Sequence, residues 1–484
     1  MSRSTAPELA EKLWESFGRL RNEGVSAREY LDQLASLMVL KHGHELANDR
    51  PDLTLQPLSD AWQTLLAEDG QALKEAYDHI LQSFASREDL FGDVFRSASN
   101  PIQDPDKLKK LIVEVDGLNP GQSGTAAPLE RIYKSLLALF ADDDRAGLGQ
   151  YYTPHAVVRA MVACAQPGPD DVIYDPACGT GGLLLAARDH VLRHHRDDMT
   201  AEQRVQLDGG RIFGTELVTE ASCLAKTNMI LNGVDSGIAD RLIEDRDAPL
   251  QASLLTPSIV LANPPFGRRL RTNSIPRFRV STRNGELNFL QYIASTLGIP
   301  GKAAVVVSDT LLFAAGAAHE VRRQMLADFD VHTLLRLPPG VFYSTAVKAN
   351  VLFFDKKEVQ PEVPQTSLLW VYDFRTGKRF TDAVRNLASE DLDDFVRCYR
   401  PGESRTSRVE AERFKCFSYE ELMDRDQVNL DITWLKDSGR KDGDSAPASS
   451  VIAREIVEDF TVALDEFSVV ADLLEQSRTR LSRE

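Results

Sequence analysis

The chain has 484 residues, 43% hydrophobic and 27% charged, which predicts a globular protein of roughly two to four domains. No apolar run approaches the roughly 20 residues of a membrane span, and the first residues do not resemble a signal peptide. Five scattered cysteines without a CxxC pair disfavour disulfides or a zinc site and predict a cytoplasmic protein. The net charge of −17 excludes a basic surface spread over the chain. Either the chain does not bind nucleic acid, or a partner supplies most of the contacts with it.

Residues 8 to about 140 carry apolar residues at helical spacing and predict a helical domain. From about 150, short apolar strands alternate with helices, a pattern that predicts an α/β fold with a mainly parallel sheet. The predicted domains are 1–140 (helical), 141–435 (α/β) and 436–484 (a polar linker and a C-terminal amphipathic helix for possible docking). The predicted strands are 172–175, 211–216, 258–263, 303–308, 332–337 and 350–355.

A glycine-rich turn, YDPACGTGG (174–182), follows the first predicted strand and opens a helix. Gly179 and Gly181 permit a tight turn in which backbone N–H groups approach a ligand closely. The turn is not a phosphate-binding P-loop, because no lysine follows the glycines. Glu216 ends the next strand, where a carboxylate can accept hydrogen bonds from both ribose hydroxyls of a nucleoside.

The segment NPPF, Asn263, Pro264, Pro265 and Phe266, follows another strand directly. The prolines restrict the backbone and hold the preceding asparagine extended. The Asn263 side-chain oxygen and the Pro264 carbonyl are suited to accept both hydrogens of a planar amine such as adenine N6, while Phe266 stacks on the base. The alternative is a proline-rich strand exit without a ligand.

In this order, DPxxGTGG, a later acidic residue and NPPF resemble the amino-group DNA methyltransferases. GQYYTPHAVVRAMV (149–162), LRNEGVSAREYLDQLASLMVLKH near the start and LPPGVFYSTAVKANVLFF (337–354) are similar to segments of Type I restriction–modification modification subunits. The resemblance runs from about residue 10 to about 435. It implies a Rossmann-like methyltransferase domain that transfers a methyl group from S-adenosylmethionine to adenine N6 in DNA.

The same resemblance assigns the site residues. Asn263, Pro264, Pro265 and Phe266 correspond to the target-base contacts. An acidic residue after the following strand often meets the cofactor adenine in this family; Asp247 is the candidate here and Asp245 competes with it. The remaining predicted cofactor contacts are Gln150, Tyr151, Tyr152, Thr153, Pro154, His155, Asp175, Gly179, Thr180, Gly181, Gly182 and Glu216.

The resemblance also implies partners. The family pairs two modification subunits with one specificity subunit that reads the DNA sequence, and a restriction subunit joins for cleavage. No metal is implied for methyl transfer. A basic segment after NPPF, with Arg268, Arg269 and Arg271 foremost, predicts a loop that neutralises phosphates of double-stranded DNA; the alternative is a solvated loop that pairs with the acidic surface.

Three other functions remain open on the sequence alone. NPP-aromatic segments also serve enzymes that methylate protein glutamine or RNA, although those more often end in tyrosine and lack the long helical domain. A catalytically silent scaffold would keep the fold, but the intact Glu216 and NPPF disfavour it. A stand-alone or phage-defence adenine methyltransferase would share every site residue.

Overall fold

The structure is a computed structural model. It describes residues 5–21, 24–49, 55–96, 98–118, 129–142, 152–208, 210–234, 243–244, 256–266, 278–342, 348–358, 363–375 and 387–435. The predicted linker and C-terminal helix of 436–484 lie outside these residues.

Strands occur from residue 173 onward, interspersed with helices, whereas the described residues before 155 hold helices and no strand. The helices are α1 (Ala6–Arg21), α2 (Ala27–Asp49), α3 (Gln56–Ala67), α4 (Gly70–Ala85), α5 (Leu90–Phe95), α6 (Pro105–Asp116), α7 (Leu129–Asp142), α8 (His155–Ala165), α9 (Gly182–His195), α10 (Ala201–Asp208), α11 (Thr219–Leu231), α12 (Gly285–Thr296), α13 (Asp309–Phe313), α14 (Ala317–Asp328), α15 (Asp393–Tyr399) and α16 (Tyr419–Met423). The strands are β1 (Ile173–Asp175), β2 (Ile212–Thr215), β3 (Ile243–Glu244), β4 (Ile259–Ala262), β5 (Gly301–Ser308), β6 (Asp330–Arg336), β7 (Ala349–Lys356), β8 (Leu368–Asp373) and β9 (Phe414–Ser418).

All six predicted strands are present, with ends shifted by one or two residues, and the predicted α/β fold is confirmed. The sequence did not reveal β3, β8 or β9. The chain divides into two compact units: the first holds 1–152, 178–185 and 204–246, and the second holds 153–177, 186–203 and 247–484. The predicted domain boundaries at 140 and 435 stay predictions.

The second unit contains most of the strands. β1 pairs parallel with β4, β4 with β5, and β6 with β8; β7 runs antiparallel between β5 and β6, and β9 is antiparallel to β8. The side chains of β4 and β6 are buried throughout, as expected for strands covered on both faces. Because β1 and β4 are parallel, Asp175 and the residue after Ala262 lie at the same edge, where ligands of such sheets bind.

The first unit consists of the N-terminal helices together with the parallel pair β2–β3 and helix α11. An aromatic cluster joins α1, α2 and α7: the Phe17 and Tyr30 rings stack at 5.3 Å, and Trp14 meets Phe140 edge-on at 4.6 Å. α11 packs against α2, α5 and α7. Within the described residues, none of the helices is long and apolar enough to cross a membrane.

Candidate active site

The glycine-rich turn adopts a conformation that only glycine takes without strain. Gly179 and Gly181 have φ of 55° and 77°, and the Gly181 N–H donates to the Cys178 carbonyl at 2.8 Å. A β-carbon at Gly181 would lie 3.1 Å from Met229 Cε of α11, so the turn and this helix approach closely. The predicted tight turn is present, and the close approach of a ligand to its N–H groups stays a prediction.

Gly214 in β2 is a structural requirement of the same turn that sequence reasoning missed. A β-carbon at Gly214 would lie 2.8 Å from Cys178 Cβ and 3.0 Å from its sulfur. The Cys178 N–H also donates to the Thr215 carbonyl at 3.0 Å, which fixes the turn on the end of β2. The glycine inside the predicted strand FGTE was the available signal, since a glycine in a strand often marks a close backbone approach. Cys178 itself is buried.

Glu216 lies directly after β2 and is buried, with 7% of its surface exposed. Its Oε2 accepts a hydrogen bond from the Gly179 N–H at 2.9 Å, and its Oε1 accepts one from the Val218 N–H at 2.9 Å. Both carboxylate oxygens thus accept hydrogen bonds from backbone N–H groups. The carboxylate is therefore oriented by the turn and by the start of α11, and is not a mobile surface group.

Asp175 is the last residue of β1, and its side chain stabilises the turn that follows this strand. Its Oδ1 accepts a hydrogen bond from the Ala177 N–H at 3.0 Å, and only 1% of its surface is exposed. This is the Asx-type turn that aspartate favours at the end of a strand. The observed contact is with the backbone of the chain itself, whereas its predicted contact with the cofactor stays a prediction.

Asn263 directly follows β4, and Thr153 orients its side chain. The Asn263 Nδ2 donates to the Thr153 Oγ1 at 3.0 Å. The Asn263 Oδ1 is buried and has no hydrogen-bond donor among the described residues. Buried polar atoms are almost always paired, so this oxygen is a candidate acceptor for a ligand. The Thr153 contact was not predicted, because 110 residues separate the two side chains.

The remaining NPPF residues surround this amide. Pro264 is buried and Pro265 is half-buried. Phe266 is half-buried, and its ring meets the buried Phe342 ring at right angles with the centroids 6.4 Å apart. An edge-to-face pair fixes the plane of a ring and leaves a face of it for stacking. Phe342 belongs to the LPPGVF segment that follows β6.

Several predicted residues cannot be placed. Tyr152 and Thr153 precede helix α8, Pro154 is its N-cap residue and His155 its first residue. Outside the described residues lie Gln150, Tyr151, Asp245, Asp247, Arg268, Arg269 and Arg271. Arg279, farther along the basic segment, forms an ion pair with Asp328 at 2.6 Å, which agrees with the alternative of pairing with the acidic surface for that one residue. The described residues hold no group of three or more histidine, cysteine or acidic side chains suited to a metal ion.

Comparison with known proteins identifies the family. The model of the N-6 DNA Methylase family matches residues 126–437. The chain is 32% identical to the methylase subunit of the Type I restriction enzyme StySJI of Salmonella typhimurium, over 96% of this chain and 94% of that protein.

Two solved structures are also similar. A crystal structure of the Type I restriction enzyme EcoKI M protein is 28% identical, covers 96% of both chains and has a TM-score of 0.55. A chain from a structure on complex assembly of the type I R-M system is 24% identical, covers 98% of this chain and 99% of that one, and with a TM-score of 0.74 shows the same fold. The resemblance inferred from the motifs is thus confirmed: the chain belongs to the N-6 DNA methylase family, with the methylase subunits of Type I restriction enzymes.

Proposed function

We propose that the chain transfers a methyl group from S-adenosylmethionine to N6 of adenine in DNA, with Asn263 to Phe266 as the residues that hold the target base. The observation that carries this proposal is the Asn263 Oδ1, a buried acceptor without a donor among the described residues. Family membership favours a DNA base over the glutamine or RNA acceptors that the sequence left open.

The Asn263 amide acts on the nucleophile. The N6 lone pair of adenine is delocalised into the ring, so the amino group is a weak nucleophile. The Asn263 Oδ1 and the Pro264 carbonyl accept its two hydrogens, which keeps electron density on nitrogen as the new bond forms. Thr153 keeps the amide in this orientation, because its hydroxyl takes the Nδ2 hydrogen and turns Oδ1 toward the base.

Phe266 binds the base by stacking. A base inside a duplex cannot be reached by an enzyme, so the target adenine leaves the stack before it reacts. Phe266 supplies a new stacking partner, and its perpendicular contact with the Phe342 ring restricts its orientation. The prolines between Asn263 and Phe266 keep the amide and the ring at a fixed separation along the backbone.

The glycine-rich turn and Glu216 hold the cofactor. The residues fit a nucleoside: Glu216 is a buried, oriented carboxylate of the kind that accepts hydrogen bonds from ribose hydroxyls, and a β-carbon added at Gly182 would meet no atom of the described residues within 4 Å. S-adenosylmethionine, when bound, supplies an electrophilic methyl group. Tyr152 to His155 and Asp247 stay predicted contacts of the same cofactor, as do Gln150 and Tyr151.

The chain works as one subunit of a larger complex. Its similar relatives are called methylase subunits, and one solved neighbour comes from work on type I R-M complex assembly. We infer two copies of this chain for each specificity subunit, together with a restriction subunit. The net charge of −17 agrees with this division, since another subunit then supplies most of the DNA contacts. Arg268, Arg269 and Arg271 remain the proposed local phosphate contacts.

The test is N6-methyladenine mapping in DNA from cells that express the chain with its candidate specificity subunit. We expect methylation at a two-part sequence and its loss in the N263A variant. Methylation that persists in N263A would overturn the assignment of the amide. A soluble complex that binds the cofactor and leaves DNA unmethylated would overturn DNA adenine as the acceptor.

A further inference from the structure

Helix α11 has different neighbours on its two opposite faces. Every residue from Ala221 to Leu231 is buried, polar side chains included. Because a helix turns once in 3.6 residues, Ala225 and Asn228 share one face, Cys223 and Lys226 share the opposite one, and Met229 lies between the two. A helix buried all round belongs to the core of its unit, and here both faces lie within the first compact unit.

The first face supports the glycine-rich turn. The Asn228 Nδ2 donates to the Thr180 carbonyl at 3.0 Å, and this bond is buried. Gly181 lies so close to Met229 that a β-carbon would come within 3.1 Å of the Met229 Cε. The turn therefore has no room to keep its conformation if α11 rotates or slides.

The opposite face is tied to α5 by a buried charge. The Lys226 ammonium, 4% exposed, forms an ion pair with the Asp93 carboxylate of α5, which is 19% exposed. The Cys223 thiol donates to the Asp93 backbone carbonyl at 3.1 Å. Two side chains of α11, Lys226 and Cys223, therefore bind the same residue of α5. A third bond runs from Arg28 Nη2 of α2 to the Glu220 carbonyl at 3.0 Å.

We propose that α11 is a positioning element for the cofactor and that Lys226, paired with Asp93, is the residue that anchors it to the N-terminal helices. Lys226 acts through Asn228, Met229 and the glycine-rich turn and does not contact the cofactor. This inference rests on the proposed function, in which that turn binds S-adenosylmethionine. It gives the N-terminal helices a part in cofactor affinity.

The physical basis is the high cost of an unpaired charge in a buried site. A buried lysine that is paired with a carboxylate contributes little net stability. The pair nevertheless fixes the position of the lysine, because any movement that separates the two charges leaves a desolvated, unpaired charge. Loss of the pair therefore lets α11 settle elsewhere. The turn, packed on its other face, must follow.

The test compares K226M with K41M in the full-length chain. Lys41 of α2 is equally buried, at 2%, but it is bound to Glu45 at 2.8 Å and to the Asp116 carbonyl at 3.0 Å, both within the N-terminal helices. Isothermal titration with S-adenosylmethionine should show at least about a fivefold weaker affinity in K226M, a usual size for coupling between sites. K41M should lower the unfolding temperature comparably and leave the affinity unchanged. Equal affinity losses in both variants would reduce Lys226 to an ordinary stabilising residue and overturn the proposal.

Amide hydrogen exchange distinguishes a positioning role of Lys226 from a contribution to stability alone. Because coupling is reciprocal, S-adenosylmethionine should slow amide exchange in α5 (Leu90–Phe95), a helix proposed to make no cofactor contact. That protection should disappear in K226M. If K226M does not fold, D93N is the second probe, since Asp93 is less deeply buried than Lys226. We expect D93N to lose the cofactor-dependent protection of α5 as well. Protection of α5 that survives in the variant would contradict the inference.

An E216Q variant separates the two levels of the argument. If E216Q binds S-adenosylmethionine as tightly as the wild type, the proposed cofactor site itself is wrong. If E216Q loses affinity while K226M behaves like K41M, the site is right and the positioning role of Lys226 is wrong.

Discussion

The Thr153 hydroxyl accepts a hydrogen bond from the Asn263 side-chain amide at 3.0 Å, and in this orientation the amide oxygen is the end left for a ligand. An asparagine side chain can rotate to exchange its oxygen and nitrogen, and only one of the two orientations can accept a hydrogen from adenine N6. Thr153 thus has a second role besides the cofactor contact that the family resemblance implies for it.

Removal of this hydroxyl should slow methyl transfer. We expect T153V, which keeps the shape of the side chain, to lower kcat about three- to tenfold, the value of one net hydrogen bond of about 0.5–1.5 kcal/mol. T153S keeps the hydroxyl and should remain close to the wild type. Single-turnover methylation of a duplex with its specificity subunit measures the effect. If T153V and T153S are equally slow, the methyl group matters and the hydrogen bond does not.

Glu216 should control cofactor affinity. In E216Q one end of the side chain becomes an NH2 group, which must face the N–H of either Gly179 or Val218, and the negative charge is lost. Because hydrogen bonds to charged groups contribute about 1.5–3 kcal/mol, we expect S-adenosylmethionine to bind about 10- to 100-fold more weakly. E220Q, at an exposed carboxylate on α11, controls for net charge and should bind normally. Equal affinities of E216Q and E220Q by isothermal titration would contradict the assignment.

Two adjacent glycines should respond differently to alanine. Gly181 has φ of 77° and a contact of 3.1 Å at the site of a β-carbon, so G181A should destabilise the chain by at least about 1–2 kcal/mol. Gly182 begins α9 and has open space beside it, so G182A should leave the unfolding temperature unchanged or slightly higher.

The same G182A variant tests where the cofactor lies. The added methyl group enters the space beside the turn that we assign to S-adenosylmethionine, so the affinity should fall although stability does not. Thermal unfolding with and without the cofactor measures both effects. Unchanged affinity in a stable G182A protein would show that the cofactor does not use this space.

The sequence predicted six of the strands and missed β3, β8 and β9. β4 (Ile259–Ala262) is an apolar run and β5 (Gly301–Ser308) contains one, and burial on both faces gives these strands a strong local signal. β9 (Phe414–Ser418) is half-buried along four of its five residues and short, and its pairing with β8 depends on contacts distant in sequence. The local sequence pattern therefore could not predict that this segment forms a strand.

The candidate site was predicted where a motif is local and missed where partners are remote. Glu216 and Asn263 were identified because each follows a strand at a recognisable spacing. Lys226 lies in α11, but its partner Asp93 is 133 residues earlier in the chain. The sequence pattern indicates whether a helix face is apolar or polar. It does not indicate which carboxylate, distant in sequence, pairs with a buried lysine and offsets the cost of burying its charge.

The buried His332 should make the second unit sensitive to acid. Burial lowers the pKa of His332 to about 4. Burial alone would raise the pKa of its neighbour Asp355, 3.5 Å away, but the hydrogen bond with His332 and the charges of Arg405 and Lys357 outweigh it and lower that pKa to about 2. The histidine is therefore neutral in the folded chain at neutral pH.

The sign of the effect follows from proton uptake by the two states. Between about pH 6.5 and pH 4 the unfolded chain protonates this histidine and the folded chain does not, so stability falls as the pH falls, by up to about 3 kcal/mol. The stabilisation from Asp355 is present above its unfolded pKa, near 3.9, and is lost only as the pH falls toward 2. H332Q removes the titrating group, so its urea midpoint should change less between pH 7.5 and 4.5 than that of the wild type. H79Q, at an exposed histidine, should retain the wild-type pH dependence. An unaltered pH dependence in H332Q would place the acid sensitivity in other groups.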